Sequence, residues 1–274
     1  MKKKIGIVAE KLSHSLSPII HNYWVKINKI DAEYVCFEIK PNEINQFYKD
    51  FKRDNNFLGF NVTVPYKENF FRVCENLNDS AKNIGSINLV YKKNKKVYGD
   101  NTDYIGFAKT YQKLVKRKID KILLIGAGGA ARSILQFLND EEINQIDIFT
   151  RSLNKKKTLA KSMRFDNFII DSKELRNKHY DLIINASDAG MLGRKSLASN
   201  VYKLVSNTSY IIDIVYNPMR TKLIDTAKAN KVPHDGGLGM LLEQAKPSFE
   251  SWFKTKISIS RYLRNKLTSQ LNHE

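Results

Sequence analysis

Lys67 and Asp103 are an ammonium and a carboxylate that each close a polar segment following a strand-like run. Lys67 ends Asn61-Val62-Thr63-Val64-Pro65-Tyr66-Lys67, and Asp103 ends Gly99-Asp100-Asn101-Thr102-Asp103. Two more polar clusters, His14–Ser17 and Gly85–Asn88, fall in the same part of the chain. The four segments offer hydroxyls, amides, a lysine and an aspartate, with no thiolate and no metal-ligand cluster. Such a set suits a small polyhydroxylated substrate bearing a carboxylate. Ser and Thr hydroxyls bond a carboxylate, and Asn and Asp bond ring hydroxyls. A lysine oriented by an aspartate forms a proton-transfer pair, as reduction of a ketone requires at the oxygen when hydride reaches the carbon. Singly, each residue reads better as a surface lysine or a structural aspartate; their joint occurrence at four strand ends points to a site.

A second chemical feature is Lys121–Arg132, KILLIGAGGAAR. Ile122–Ile125 reads as a strand covered on both faces. Gly126, Gly128 and Ala131 then give the G-x-G-x-x-A form of a dinucleotide turn. The first glycine allows the turn, the second lets backbone approach a pyrophosphate, and the small alanine lets helix pack on strand. Backbone N–H groups at the helix start would hold phosphates. A glycine-rich loop without a ligand is the alternative, but the strand before, the helix after and the βα alternation downstream favour a bound dinucleotide.

The next strand, Ile146–Phe149, ends in Thr150-Arg151-Ser152, with Lys155 a helical turn later. An NAD-preferring site usually offers an acid at this tip for the ribose 2′-hydroxyl. Arg151 instead suits a 2′-phosphate, which a guanidinium grips bidentately. Asp147 is expected at the wrong end of the strand. In a chain this basic, Arg151 can also be read as one more solvated cation; its position favours NADP.

These groups must be carried by strands and helices in alternation. Strands are expected at Lys4–Val8, Tyr34–Glu38 and Leu58–Val64, with a hairpin of Ile87–Tyr91 and Lys96–Tyr98 over Lys92–Lys95. A polar loop is expected around Ser13–Pro18, and helices at Ile19–Asn28, Asn42–Asp50 and Asp79–Ile84. Beyond Arg151 the strands are Phe168–Ile170, Asp181–Asn185, Tyr210–Ile214 and Val232–His234. A long helical C-terminus, Leu241–Phe253 and Ile257–Leu271, follows a turn at Gly236–Gly237. This alternation predicts an α/β chain of two domains, each with a mainly parallel sheet, meeting near Asn101–Gly106.

Composition sets outer bounds. The chain has 274 residues, enough for two modest cores, and only Cys36 and Cys74, too few for a disulfide framework. No apolar run approaches a membrane span, so a soluble cytoplasmic protein is expected, with no metal. The 46 Lys plus Arg exceed the 28 Asp plus Glu, a formal charge of +18. These lysines are scattered rather than clustered and accompany no nucleic-acid motif, so nucleic acid is not the expected partner. A basic surface would still steer an anionic substrate and a phosphorylated cofactor.

Six motifs occur in order: HSLSP at His14–Pro18, NVTVPYK at Asn61–Lys67, GDNTD at Gly99–Asp103, GAGGAAR at Gly126–Arg132, DIVYNPMRT at Asp213–Thr221 and GLGMLLEQA at Gly237–Ala245. Through them the chain resembles the shikimate dehydrogenase family nearly end to end. The resemblance implies reversible NADPH-dependent reduction of 3-dehydroshikimate to shikimate, in the pathway to chorismate and the aromatic amino acids. It implies that Lys67 and Asp103 are catalytic, that Ser15 and Ser17 bind the substrate carboxylate, and that Thr63, Asn88, Tyr216 and Gln244 touch substrate. For the cofactor it implies Gly126, Ala127, Gly128, Gly129 and Ala130 at the pyrophosphate, and Thr150, Arg151, Ser152 and Lys155 at the 2′-phosphate. Ile214 and Gly237 fall at the nicotinamide end, and Asp79 at an occasional cofactor contact.

The implied division is a substrate-binding and catalytic domain at 1–103, a Rossmann-like NADP-binding domain at 104–237, and helices at 238–274 returning to the first. The small-molecule substrate is then the partner, with the protein a monomer or homodimer. The chain departs from the family pattern at Ala9-Glu10-Lys11, where a Gly-x-Pro turn is usual. It departs again at Leu89, where a threonine is usual, and at Lys155, where a second arginine is usual. These changes keep every catalytic group but leave open a quinate or shikimate dehydrogenase with relaxed cofactor use. A non-catalytic nucleotide- or nucleic-acid-binding protein is the reading of a different class, and it gives no reason to keep both Lys67 and Asp103.

Overall fold

The computed structural model describes residues 2–12 and 15–273. Ser13 and His14, part of the expected polar loop and of the HSLSP motif, lie outside the described residues. The chain forms two compact units, Met1–Asp103 with Leu242–Leu267 and Tyr104–Leu241 with Thr268–Glu274.

The first unit runs β1 (Lys3–Ala9), α1 (Ser17–Ile27), β2 (Ala32–Glu38), α2 (Ile44–Arg53), β3 (Phe57–Val62), α3 (Lys67–Val73), β4 (Asn76–Leu77), α4 (Asp79–Ile84), β5 (Leu89–Lys93) and β6 (Lys96–Asp100). Its sheet has the order β2-β1-β3-β5-β6-β4. β1 lies parallel to β2 and β3, and β4 parallel to β6, whereas β5 is antiparallel to both neighbours. The continuous apolar run of β1 fits a central strand, with Ile5 and Val8 fully buried. α1 starts at Ser17, two residues earlier than expected, because Pro18 fits the first helical turn. Ile20, His21, Trp24 and Val25 then bury one face at helical spacing. β3 stops at Val62, and Val64 is solvent-exposed. The hairpin turn narrows to Asn94 and Lys95, whose φ values of 50° and 61° are those of a tight turn matched to strand twist. α3 and the short β4 have no counterpart in the expected elements.

The second unit runs α5 (Asp103–Leu114, its first residue in the first unit), β7 (Lys121–Ile125), α6 (Gly129–Asp140), β8 (Gln145–Phe149), α7 (Lys155–Ala160), β9 (Asn167–Ile169), β10 (Leu182–Asn185), α8 (Ser199–Leu204), β11 (Tyr210–Asp213), α9 (Lys222–Ala229) and β12 (His234–Gly236). The sheet order β12-β11-β10-β7-β8-β9 is parallel throughout, a doubly wound arrangement whose strand order reverses between β7 and β10. Strand alternation divides β7 between two cores: Ile122 and Leu124 face the cluster with α6, Leu123 and Ile125 the cluster with α8 and α9. Each such side chain, wholly buried, contributes about 1.5–3 kcal/mol of transfer free energy. α10 (Gly237–Phe253) and α11 (Arg261–His273) follow, α10 starting four residues before the expected helix.

Candidate active site

Sheet register brings the polar segments of the first unit to one edge. β1 and β3 pair with Val8 opposite Val62, so both strands deliver their following loops there. β5 is antiparallel and starts at that edge, with Leu89 opposite Asn61 and Asp100. The segments carrying Ser15 and Ser17, Thr63 to Lys67, Asn88, and Asn101 to Asp103 therefore emerge together. Ser17 is buried at the start of α1, where its N–H donates to Ser15 Oγ at 3.4 Å. Thr63 is partly exposed and its N–H donates to the Val8 carbonyl at 3.2 Å.

Lys67 is the first residue of α3 and Asp103 the first of α5. Lys67 Nζ donates to Asp103 Oδ2 at 2.5 Å, with side chains only 11% and 7% exposed. A buried charge pair persists only when both members find partners. Asp103 Oδ1 takes a second bond from Asn88 Nδ2 at 2.9 Å, and the Asp103 N–H donates to Asn101 Oδ1 at 3.0 Å. Among the described residues Lys67 Nζ has this single partner, leaving two of its three donors for a ligand. A cation at a helix start opposes the helix dipole, and the Asp103 carboxylate offsets that opposition.

Asn88 is the organising amide. Its Oδ1 accepts from the Thr102 N–H at 2.7 Å and from the Thr102 hydroxyl at 3.1 Å. Its Nδ2 reaches Gln244 Oε1, on α10, at 3.1 Å as well as Asp103. Asn61 is fully engaged by protein: Oδ1 accepts from the Tyr34 hydroxyl at 2.9 Å, and Nδ2 donates to the Asn88 carbonyl and to Ser248 Oγ. Tyr34 in turn lies flat against His21, ring centroids 4.4 Å apart and planes 6° apart. His21 is enclosed by Trp24, Tyr34, Phe249 and Trp252, and burial lowers it from 6.5 to about 3. Thr102, Tyr34 and Ser248 were not singled out from sequence. Thr102 sits inside a motif already noted, whereas Ser248 is 187 residues from Asn61 and left no local signal.

In the second unit Gly126 has φ 111°, and a Cβ there would lie 2.8 Å from the Ala186 carbonyl oxygen. Only glycine fits that position. A Cβ at Gly128 would meet nothing within 4 Å, and α6 begins at the next residue, so backbone there is open to a phosphate group. These residues fit a dinucleotide. Arg151 is exposed after the buried Thr150, and Ser152 is exposed beside it. Lys155, partly buried, opens α7.

Asp147 corrects an expectation: it lies mid-strand and fully buried, not at a strand end. Burial alone would raise its carboxyl, but donors from Asn167, Tyr180, Lys178 and Gln145 hold it below its usual value. Asp213 ends β11, also buried, and burial pushes it from 3.8 up to about 6 against donors from Thr221, Val215 and Asn185. Ile214 follows it, and a Cβ at Gly237 would overlap the Ile214 carbonyl. Tyr216 belongs to this unit, whereas Asp79 is an exposed residue of the first, paired with Lys82 at 3.0 Å. Among the described residues no group of acidic, His or Cys side chains could hold a metal ion, and no helix is long and apolar enough to cross a membrane.

Two family models match. Residues 7–90 match the shikimate dehydrogenase substrate binding domain, and residues 108–222 match shikimate / quinate 5-dehydrogenase. A shikimate dehydrogenase (NADP(+)) of Clostridium perfringens is 36% identical over 263 residues, covering 94% of this chain and 95% of its own. Shikimate dehydrogenase 1 of Peptoclostridium difficile has a similar structure, with TM-score 0.87, 31% identity, and 98% and 99% of the two chains covered. A shikimate 5-dehydrogenase of Listeria monocytogenes, solved with shikimate and NAD, is similar with TM-score 0.82 and 27% identity, covering 97% and 96%.

Proposed function

The chain belongs to the shikimate dehydrogenase family, and from that premise we propose how its own residues run the family's reaction. It is an NADP-dependent oxidoreductase that interconverts 3-dehydroshikimate and shikimate on the route to aromatic compounds. NADPH, when bound, supplies the hydride. Lys67 and Asp103 form the proton-handling pair: the pair gives a proton to the ketone oxygen in reduction and recovers it in oxidation. The observation that carries this role is the buried 2.5 Å contact from Lys67 Nζ to Asp103, held from its other oxygen by Asn88. The proton belongs to the coupled pair rather than to one member.

On this reading Ser15 and Ser17 hold the substrate carboxylate, Thr63, Asn88 and Gln244 make other substrate contacts, and Tyr216 of the second unit is assigned a substrate contact as well. Gly126 to Ala130 hold the pyrophosphate. Thr150, Arg151, Ser152 and Lys155 hold the 2′-phosphate, and Ile214 and Gly237 border the nicotinamide. Support for the cofactor half comes from the strained Gly126 turn and the open approach at Gly128. A monomer or homodimer is part of the same proposal, as is a cytoplasmic location, which is supported by Cys36 and Cys74 both being free thiols.

Relaxed cofactor use is a second reading, favoured by Lys155, a point charge where a planar fork would grip a phosphate better. The Listeria relative carrying NAD points the same way. The deciding experiment follows absorbance at the reduced-nicotinamide band with purified protein and shikimate or quinate, each with NADP and NAD. Rapid NADPH formation from shikimate alone supports the first reading. Comparable rates with NAD or with quinate support the second, and silence in all four mixtures with folded protein overturns both.

A further inference from the structure

Asp213 is a buried acid with an unusual set of partners. Among the described residues no cation pairs with it, and its hydrogen bonds come from neutral donors on three separate stretches of chain. Asn185 Nδ2 donates to Oδ1 at 2.9 Å, the Val215 N–H to Oδ1 at 3.1 Å, and Thr221 Oγ1 to Oδ2 at 2.7 Å. An apolar side chain would satisfy packing at a strand end without the desolvation cost of a carboxyl. What it could not do is accept three convergent bonds.

Those bonds fix the loops at the carboxyl edge of the second sheet. Asn185, opposite Asp213 in the β10–β11 register, also donates to the Ala189 carbonyl and accepts from the Ser187 N–H and hydroxyl. The Ile214 N–H donates to the Asn185 carbonyl at 3.0 Å, and the Gly237 N–H to the Val215 carbonyl at 3.1 Å. The next residue after Asn185 is Ala186, whose carbonyl forces glycine at position 126. Asp213 thus stands at the junction of the loop behind the glycine turn and the segment from Ile214 to Val215 against which Gly237 packs.

We propose that Asp213 is the positioning residue for the nicotinamide end of the cofactor, acting through Ile214, Val215 and Gly237 rather than by touching the ligand. This rests on the reading above that Gly126 to Ala130, Ile214 and Gly237 hold the dinucleotide. The role is local: it places the nicotinamide and leaves the adenosine 2′-phosphate grip at Arg151 unaffected.

The experiment compares affinities for NADPH and for 2′-phospho-ADP-ribose, the same molecule without nicotinamide, in wild type, Asp213→Ala and Asp213→Asn. Asp213→Ala removes all three bonds and should weaken NADPH about tenfold or more while the fragment stays within about twofold. Asp213→Asn keeps the doubly bonded oxygen and should stay within about threefold for both ligands. Equal weakening of NADPH and fragment in Asp213→Ala would mean a purely structural role and overturn the proposal. So would unchanged NADPH affinity. If Asp213→Ala does not fold, the same comparison is made with Thr221→Val, which loses the bond to Asp213 together with the Ile224 N–H bond that caps α9, against Thr221→Ser, which keeps both. Wild type binding neither ligand would remove the cofactor reading itself, and this proposal with it; normal wild-type binding with an indifferent variant removes this proposal alone.

Discussion

Asn88 Nδ2 donates to Asp103 Oδ1 at 2.9 Å, on the carboxylate oxygen that Lys67 does not use. Asp103 is therefore held in place whether or not the lysine is present. Lys67, with one partner among the described residues, is the member able to turn toward a ligand.

Replacing Lys67 with alanine should lower kcat by about 100- to 10,000-fold, the usual worth of a positioned acid or base. NADPH affinity should stay within about twofold, since the role proposed for Lys67 is with the proton and not the pyrophosphate. Single-turnover rates and a cofactor titration on the same variant check both statements, and a large loss of NADPH binding would count against the assignment.

Arg151→Asp should raise the KM for NADPH by about tenfold or more, through loss of a charge-assisted bond and gain of repulsion. NADH, lacking the 2′-phosphate, should be spared. Steady-state kinetics with both cofactors decide it: if both suffer equally, the exposed Arg151 beside Thr150 is not the 2′-phosphate site.

Thr102→Val removes the hydroxyl that bonds Asn88 Oδ1 but leaves the backbone N–H bond at 2.7 Å. The Asn88 amide is then less firmly oriented toward Asp103 and Gln244. The hydroxyl also accepts from Asn88 Nδ2 and reaches Gln244 Oε1, so the KM for shikimate should rise about tenfold or more, with the KM for NADP unchanged. Parallel rises in both constants would show that Thr102 serves the fold and not the substrate site.

His21 makes a pH-dependent contribution to stability. Its ring is lowered from 6.5 to about 3 by burial, so between those values the unfolded chain binds a proton that the folded chain does not. Stability therefore rises with pH through this window and is fully present only above about 6.5. Asp213 has the opposite sign between 3.8 and about 6, because the folded state there holds the extra proton. Urea unfolding of wild type against His21→Phe cancels the Asp213 contribution. The difference should be flat above pH 7 and turn against wild type by about 1.4 kcal/mol per pH unit as pH falls below 6.5. A difference independent of pH from 4.5 to 7 would mean that His21 titrates alike in the folded and unfolded chain.

The parts of the molecule written locally were legible in the sequence. The Gly126 turn, the strand before it and the start of the helix after it lie within a dozen residues, and α4 is delimited to the residue by its Asp and Gly ends. Helices α3 and α5 escaped notice because their first residues, Lys67 and Asp103, read as loop chemistry. The start of α10 was hidden by Gly237 and Gly239, poor helix formers, one of them required by the Ile214 carbonyl. Asp147 was misplaced because its partners Asn167, Lys178 and Tyr180 lie 20 to 33 residues away. Likewise the residues of the candidate site could be named from motifs, but the bonds that orient them could not. Asn88 meets Gln244 and Asn61 meets Ser248 only once distant segments have packed together.

That last arrangement has a temporal side. Gln244, Ser248 and Trp252, whose indole donates to the Val90 carbonyl, all belong to the first unit yet are encoded near the end of the chain. On the ribosome, 156 residues separate Asn88 from Gln244, a delay of about 8–30 s at ordinary rates of translation. Once Asp103 has been made, the first sheet is complete in sequence but lacks its α10 segment, and the strands of the second unit are made in the meantime. The unit that holds Lys67 and Asp103 begins first, yet it receives Leu242–Leu267 only after every strand of the second sheet has been made.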